Sequence, residues 1–410
     1  MPIRTEETGA RGEVRLRVWN LPLRLFHWGL AASFVTAWLT LDDRYRDIHV
    51  FAGYVMAGLL LFRLLWGVIG GPYARFRDFA FGWREARDYL KLVLQRCPPR
   101  FLGHNPAGSW AIYLLLGLGL LIAITGLLTL GGEERHGPLA GWLSFAQGEM
   151  AHNLHELLAW SMLGLVAVHI AGVVVESLLH RENLVAAMLT GRKPSKPGMV
   201  SARAGRPTGI LMSVAIAAFG LSWFHGYLVE TPERPYRPFS GIELPDQALW
   251  REECGACHLA FHPSLLPARS WRTMMAGQSS HFGEDLFLER DSADEIERFL
   301  LENAAEQALT EAAWKINRSI AATETPLRIT ETPYWVDKHK EIPGRVWEDP
   351  RVNGKVNCAS CHLDADAGTF EDAAMRIPVD TGGALKGLWE AMTSRFRLDS
   401  SHAGIFNPKG

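Results

Sequence analysis

The sequence predicts an all-α protein in which a bundle of membrane-spanning helices is followed by a small, mostly helical soluble domain. Five apolar stretches before residue 229 are each long enough to cross a bilayer, which takes about 20 residues. Charge divides at the same place: residues 1–228 hold 22 Lys and Arg against 15 Asp and Glu, whereas residues 229–410 hold 20 against 29. The pentapeptide C-x-x-C-H occurs twice, both times in the acidic second half.

The five stretches are the predicted spans, which alternate in direction across the membrane. They run approximately over Leu23–Leu41, His49–Gly70, Trp110–Leu130, Leu157–Leu179 and Ile210–Leu228. The N-terminal tail and the loops after the second and fourth spans hold 18 Lys and Arg, whereas the loops after the first and third hold 3. Because positively charged loops stay in the cytoplasm, we expect a cytoplasmic N-terminus and an external C-terminal half.

This pattern predicts four segments: a cytoplasmic tail over 1–20, a membrane domain over 21–193, a linker with the fifth span over 194–228, and a periplasmic domain over 229–410. The first twenty residues are too polar for a cleavable signal peptide. The fifth span is therefore expected to carry the last domain across a bacterial inner membrane. Within that domain, helical periodicity is clearest over Ala293–Glu306 and Glu311–Ala322.

Four of the five cysteines belong to the two C-x-x-C-H motifs, at Cys254, Cys257 and His258 and at Cys358, Cys361 and His362. This motif is the attachment signature of c-type haem, in which both thiols add to the porphyrin and the histidine binds the iron. The alternative is a structural zinc site built from two C-x-x-C knuckles. Such knuckles usually lie about 15–20 residues apart, and a much longer segment separates these, so two covalent haems are predicted. Cys97 is expected to be a reduced cytoplasmic thiol.

Histidines inside the predicted spans are the second indication, because an ionisable group at membrane depth is costly and usually functional. His155 and His169 lie 14 residues apart, which on one helix is about 21 Å along the axis with only about 40° of rotation. Both should therefore lie on the same face. His152 would point roughly 100° away from His169 and is the weaker candidate.

The direction of each span then sets the depth of each histidine. His27 and His169 should lie near the cytoplasmic surface, and His49 and His155 near the periplasmic one. Two imidazoles at each of two levels are the arrangement that ligates two b-type haems across a four-helix bundle. The alternative is that these are packing or interfacial histidines.

Residues 14–193 resemble the prokaryotic cytochrome b561 family, which includes the b-type cytochrome subunit of nickel–iron hydrogenases. The matching stretches are Val18–Asn20, Arg24–Trp28, His49 with Gly53 and Tyr54, Leu61–Gly67, Gly103–Gly108, Leu154–Glu156 and His180–Leu184. The resemblance implies two b haems, each held by two histidines. The fifth span departs from the minimal four-helix form of the family.

Residues 248–379 resemble the dihaem cytochrome c family, whose soluble members donate electrons to small high-spin haem proteins. The matching stretches are Glu253–His258, Leu266–Trp271, His281–Glu284, Arg328–Thr332 and Cys358–His362. The resemblance implies that His281 and His339 are distal ligands, opposite His258 and His362. His262 follows His258 by four residues, so a supporting or surface role is expected for it.

The other polar groups of the membrane half are expected to lie at surfaces. Arg24 and Arg63 should extend to the interface, with a bond to a haem propionate as the alternative. His225 should be interfacial. Surface positions are expected for four further histidines, His104, His136, His180 and His402.

These features predict transmembrane electron transfer through two b and two c haems, from quinol to a soluble periplasmic haem protein of the small high-spin cytochrome c type. Flow in reverse, from a periplasmic donor to quinone, is the first alternative. A gas-binding sensor is disfavoured because two histidines leave the iron no vacant position, and a hydrogenase anchor is a further alternative. No motif identifies a quinone pocket, no nucleic-acid partner is expected, and classification as a quinol:cytochrome oxidoreductase is left open.

Overall fold

The computed structural model describes residues 14–41, 45–196, 198–223, 244–307, 310–371 and 374–378. Across these residues the chain is mostly helical, with a single two-stranded sheet, as the all-α prediction requires. It divides into two compact units, Met1–Gly126 with His152–Val229, and Leu127–Ala151 with Glu230–Gly410. Most of the predicted tail, residues 224–228 of the fifth predicted span, His225 and His402 lie outside the described residues.

In the membrane half, the described residues form two short strands and seven α-helices. In chain order they are β1 (Val14–Arg17), α1 (Leu21–Leu39), α2 (Arg46–Ile69), α3 (Trp83–Leu94), α4 (Pro106–Gly132), α5 (Phe145–Leu179), α6 (Leu184–Thr190), β2 (Arg192–Ser195) and α7 (Arg206–Trp223).

Among the described residues, α2, α4 and α5 are long and apolar enough to cross a membrane, with mean hydropathies of 1.8, 2.5 and 2.1. They overlap the second, third and fourth predicted spans, but α5 begins at Phe145, well before the predicted Leu157. Helix α1 coincides with the first but has only 19 residues and carries Arg24 and His27 near its start. Helix α7 covers the described part of the fifth.

Packing in this half is tightest on the inner faces of α1, α2 and α4. Leu60 is fully buried, and Leu59 and Met56 beside it are almost so, next to Phe26 of α1 and Leu116 of α4. Leucines and valines on the outer faces stay exposed. That is the pattern of helices whose outer surface meets lipid rather than water.

Sequence signals explain where α1 begins. The side chain of Asn20 accepts a hydrogen bond from the backbone N–H of Leu23 at 3.1 Å, and Pro22 stands in the first turn, where no N–H is needed. Just before the helix, β1 pairs antiparallel with β2, in a register that places Arg17 opposite Arg192. This pairing ties the start of α1 to the segment between α6 and α7.

In the second half of the chain, called here the dihaem-like half (residues 229–410), the described residues form six short α-helices. They are α8 (Ala248–Gly255), α9 (Ala268–Ala276), α10 (Arg290–Glu302), α11 (Glu311–Ser319), α12 (Pro333–His339) and α13 (Gly344–Trp347). Both predicted helices of this half are present, although α10 begins and ends a few residues before the predicted Ala293–Glu306. The core of this half contains Trp250 of α8, Trp271 of α9, and Ile296 and Leu300 of α10. The indole of Trp271 also donates to the carbonyl of Pro263 at 2.7 Å.

Candidate haem sites

One histidine pair consists of a ring from α2 and a ring from α5. The rings of His49 and His155 lie with their centroids 6.2 Å apart and their planes at 67°. Each ring donates Nδ1–H to a main-chain carbonyl, His49 to Ala37 and His155 to Ile122, both at 3.0 Å. A carbonyl can only accept, so Nδ1 carries the proton in each ring and Nε2 keeps its lone pair.

Glycines on both sides leave room around this pair. A Cβ at Gly126 of α4 would lie 3.1 Å from Cε1 of His155, so only a glycine allows this close approach without displacing the ring. Gly53 lies one turn after His49 on α2, and a Cβ there would meet nothing within 4 Å. Open space therefore adjoins the ring of His49 on its own helix face.

His27 of α1 and His169 of α5 form the second membrane pair. They are close enough to interact electrostatically, and Nδ1 of His27 is buried without a hydrogen-bond partner among the described residues. Because α5 is one continuous helix, His169 lies about 21 Å from His155 along its axis. The two predicted pairs thus occupy different levels of the bundle.

The first C-x-x-C-H motif follows from the end of α8. Cys254 lies in the last turn of that helix, and Cys257 and His258 come directly after it. The ring of His258 donates Nδ1–H to the carbonyl of Leu259 at 2.7 Å, and its centroid lies 6.3 Å from that of His281, with planes at 31°.

A tight turn holds His281 in place. The backbone N–H of His281 donates to the carbonyl of Glu284 at 2.7 Å, and Glu284 returns the bond at 3.1 Å. Gly283 has a φ of 105°, which glycine adopts readily, and Phe282 before it has a φ of 52°. The guanidinium of Arg328 lies 4.0 Å over the Phe282 ring, so two of the family-like stretches meet beside this histidine.

The second C-x-x-C-H motif begins in a single 3₁₀ turn, Cys358–Ser360. The centroid of His362 lies 6.3 Å from that of His339, with planes at 64°. His339 is the last residue of α12; its ring stacks on Trp335 at 4.2 Å and donates Nδ1–H to the Trp335 carbonyl at 2.8 Å.

Three of the four predicted pairs share one ring spacing, 6.2–6.3 Å. Two imidazoles that bind one metal atom through bonds of about 2 Å have ring centres roughly 6 Å apart. Burial lowers the pKa of His339 and of His281, which favours the neutral imidazole that a metal needs. The residues present therefore fit a haem iron held between two imidazoles.

The cysteines of the two C-x-x-C-H motifs lie in separate places in the described structure. No disulfide joins the five cysteines, all of which lie among the described residues. No three His, Cys, Asp or Glu side chains in the described part of the chain converge as metal ligands. Within the described residues, the two C-x-x-C pairs are thus not brought together at one point.

Some surface predictions were wrong. Arg63 is 2% exposed, donates to the carbonyl of Ala74 at 3.0 Å and lies 4.6 Å from the centre of the Phe76 ring, so it does not extend to the interface. For His262 a supporting or surface role was expected, and only the surface alternative is wrong. Its side chain is buried and accepts from the backbone N–H of Ser264 at 3.2 Å, and a Cβ at Gly368 would clash with its ring.

His104 was also misplaced by sequence reasoning. It packs between Trp19 at 4.7 Å and Phe79 at 4.4 Å, and burial and the nearby Arg63 lower its pKa to about 3. His104 lies in the stretch Gly103–Gly108 that resembles the family, which could have indicated a structural role. The aromatic rings that contact it, however, lie far away in the sequence. His180 likewise has a partner, the carboxylate of Glu176 at 3.2 Å.

Comparison with known families divides the chain as the two histidine sets do. Residues 18–191 match the family described as prokaryotic cytochrome b561, and residues 250–370 match the family described as dihaem cytochrome c.

Individual relatives match each part separately. A probable Ni/Fe-hydrogenase B-type cytochrome subunit of Azotobacter vinelandii is 29% identical over 219 residues, 44% of this chain and 89% of the relative. Its counterpart in Rhizobium leguminosarum bv. viciae is 29% identical over 209 residues, 43% of this chain and 87% of the relative. A dihaem cytochrome c structure from Rhodobacter sphaeroides is 41% identical, with 32% of this chain and all of that chain covered, at a TM-score of 0.28.

Proposed function

We propose a path for electrons through a chain that belongs to two families, the prokaryotic cytochromes b561 over residues 18–191 and the dihaem cytochromes c over residues 250–370. Such a chain is a haem-containing integral membrane protein that transfers electrons across the membrane. The proposed path runs from quinol through two b-type sites and two c-type sites to a soluble periplasmic haem protein.

The ligands follow from the pairs described above. His27 with His169 and His49 with His155 would hold two b haems, and His258 with His281 and His362 with His339 would hold two c haems. Haem, when bound, supplies one-electron redox chemistry. The protein would hold each iron between neutral imidazoles. Cys254 with Cys257 and Cys358 with Cys361 would tether the two c groups.

The observation that carries this proposal is the common geometry of three pairs from different parts of the chain. Each has the same ring spacing, and in each at least one ring donates Nδ1–H to a main-chain carbonyl. Such a bond fixes the ring orientation and leaves Nε2 as the donor to a metal. An iron held by two imidazoles would exchange electrons rather than bind a gas, and this disfavours the sensor alternative.

The proposed topology places the N-terminus in the cytoplasm and the dihaem domain in the periplasm of a bacterial inner membrane. Its support is the distribution of Lys and Arg, 18 against 3 between the two sides. Covalent attachment of haem c on the periplasmic side agrees with this orientation.

The proposed direction is outward, from quinol to the periplasm. Oxidation of one quinol releases two electrons and two protons, and the two electrons reduce two molecules of a one-electron partner. The support for this direction is the resemblance to dihaem cytochromes c, which act as donors. The partner would be a small high-spin cytochrome c, drawn to the acidic second half of the chain.

A reduction experiment tests the path. The purified full-length chain in proteoliposomes is mixed with a quinol, and the b and c absorption bands are followed over time. The proposal predicts that the b bands are reduced first, the c bands next, and an added small high-spin cytochrome c last. Quinol that reduces no band would exclude the quinone link, whereas reduction of b bands without c bands would exclude the path. A His155→Ala chain should keep its c haems and lose their reduction by quinol.

A second candidate is favoured by the hydrogenase-type relatives. These relatives are described as probable B-type cytochrome subunits of Ni/Fe-hydrogenases. For this chain the corresponding function would be to accept electrons from such an enzyme. Copurification with a nickel–iron protein, and reduction of the b bands by hydrogen, would support it over the quinol path.

A further inference from the structure

A cavity of about 320 Å³ lies in the membrane half, where β1, β2 and the first residues of α1 and α7 come together. This volume falls within the usual range for small-ligand sites, about 300–1,000 Å³. Five of its eight lining residues are arginines, and none of the described residues lining it is Asp or Glu. The lining residues are Arg15, Arg17, Leu21, Arg24, Thr190, Arg192, Ala204 and Arg206.

The two strands concentrate positive charge on one face. Arg15 and Arg17 are two residues apart on β1 and so share a face, and Arg17 is the direct partner of Arg192 on β2. Like charges directly opposite each other on paired strands destabilise the pairing. The arginines on this face therefore repel one another, and an anion bound between them would be attracted by each.

On the opposite face of the same strands, a basic side chain is neutralised by a carboxylate of the chain itself. Lys193 of β2 is 4% exposed and lies 3.5 Å from the carboxylate of Glu182, which also pairs with Arg100 at 3.1 Å. Among the described residues, the arginines of the cavity have no comparable carboxylate. The two faces of one strand pair therefore differ in how their positive charge is balanced.

Arg24 adds a donor that is already oriented. One of its terminal nitrogens donates to the carbonyl of Leu189, while its buried Nε has no hydrogen-bond partner among the described residues. Arg17 is close enough to act on Arg24 electrostatically. Helices α1 and α7 begin at Leu21 and Arg206, so the positive ends of two helix dipoles face the same region.

We propose that this cavity binds a phosphate-bearing anion, and that its source in the cell is the headgroup of an anionic phospholipid. Phosphate oxygens match guanidinium groups in charge and in geometry. The cavity lies at the start of α1, which by the proposed topology is the level of the cytoplasmic headgroups. Basic pockets at that surface bind anionic lipid headgroups. This site is separate from the four histidine pairs and is not needed for their ligation.

The test uses the full-length chain, purified in detergent with its haems and then stripped of lipid. Phosphatidylglycerol or phosphatidylcholine is added, and bound lipid is counted by native mass spectrometry. Pyrophosphate, measured by calorimetry, is the soluble probe. The variant is Arg17→Gln with Arg192→Gln, which removes the opposed pair. The control is Arg203→Gln, an exposed arginine on the neighbouring loop that does not line the cavity.

Each arginine beside a phosphate strengthens binding by a factor of about five. The double variant should therefore bind phosphatidylglycerol roughly 25-fold more weakly, with the Arg203→Gln chain like the wild type and phosphatidylcholine bound poorly by all. Tight pyrophosphate binding with no preference for phosphatidylglycerol would keep the phosphate site and overturn the lipid source. Equal binding of both probes by wild type and double variant would overturn the site itself.

Haem spectra separate these outcomes from misfolding and from the proposed electron path. The double variant should keep the wild-type b and c bands and their reduction by quinol. If it loses its bands, the exposed pair Arg15→Gln with Arg206→Gln replaces it, with the same expected loss of lipid binding. A wild-type lipid preference in that second variant would equally overturn the site.

Discussion

The imidazole rings of His49 and His155 face each other across 6.2 Å, one from α2 and one from α5, and each donates Nδ1–H to a carbonyl of a helix other than its own. His49 bonds to Ala37 at the end of α1, and His155 bonds to Ile122 of α4. The orientation of this one pair thus depends on all four helices of the bundle.

The first prediction concerns haem content. With two C-x-x-C-H motifs and two membrane pairs, the chain should contain equal amounts of extractable b haem and covalent c haem. Acid–acetone extraction followed by pyridine haemochrome spectra measures the ratio. A ratio far from one would contradict the assignment of four sites.

Substitution of the ligands on α5 should remove the b haems one at a time. His155→Ala should abolish the component held with His49, and His169→Ala the component held with His27, because a b haem depends on its axial bonds. Both c haems should stay attached through their thioether links. Potentiometric titration of the purified variants resolves the components.

The control for these substitutions is on the same helix. His152 is exposed one turn before His155, so His152→Ala should keep both b components. Loss of the same component in the His155 and His169 variants would show that the pairing is wrong.

The open space beside His49 makes a steric prediction. A leucine at Gly53 would fill space where a Cβ now meets nothing within 4 Å, on the face that also carries His49. Gly53→Leu should therefore lose the b component of the His49 pair while the His27 pair is kept. Gly58→Leu is the matched control, because Gly58 is exposed on the outer face of α2. Equal b spectra in both variants would mean that no haem occupies this space.

Acid should weaken the dihaem half through His262. Burial, and to a smaller degree Arg251, lowers the pKa of this histidine from 6.5 to about 4. Above pH 6.5 neither the folded nor the unfolded form is protonated, so its contribution to stability is complete. Between 6.5 and 4 the unfolded chain takes up a proton that the folded chain does not, which costs up to roughly 3 kcal/mol.

Denaturant unfolding followed by c-haem absorbance, at about pH 7 and about pH 5, measures this loss. His262→Asn keeps an acceptor for the Ser264 N–H and cannot be protonated, so its stability should fall less on acidification. A wild-type pH dependence in that variant would assign the acid sensitivity to other groups.

Docking of the periplasmic partner should depend on salt. Residues 229–410 hold 29 Asp and Glu against 20 Lys and Arg, so a partner with a basic face would be steered toward them, and screening would slow the encounter. Stopped-flow oxidation of the c haems at low and high ionic strength measures the effect. A rate indifferent to salt would argue against electrostatic docking.

The parts of the site that sequence could predict are those set by local spacing. His155 and His169 follow from the helical period, and the two C-x-x-C-H motifs are short enough to be read directly. His281 and His339 were identified only through the family resemblance, because the turn and the helix that position them bring distant residues together.

The errors concern burial that depends on remote contacts. His104 is enclosed by Trp19 and Phe79, and no local pattern links these three positions. Arg63 finds the carbonyl of Ala74 and the ring of Phe76 instead of the interface. The pairing of Arg17 with Arg192 could not be predicted either, because neither β1 nor β2 has a sequence pattern typical of a sheet.

Helix α5 carries one histidine of each proposed membrane pair, and this limits how the gene can change. Inserting or deleting one residue between His155 and His169 would turn one imidazole by about 100° relative to the other and break a site, whatever the residue. Adding seven residues would return both imidazoles to the same face of the helix, but would place them about 10 Å further apart along its axis. Among descendants of this chain, the number of residues between His155 and His169 should therefore vary far less than the composition of this segment, which needs only to stay apolar.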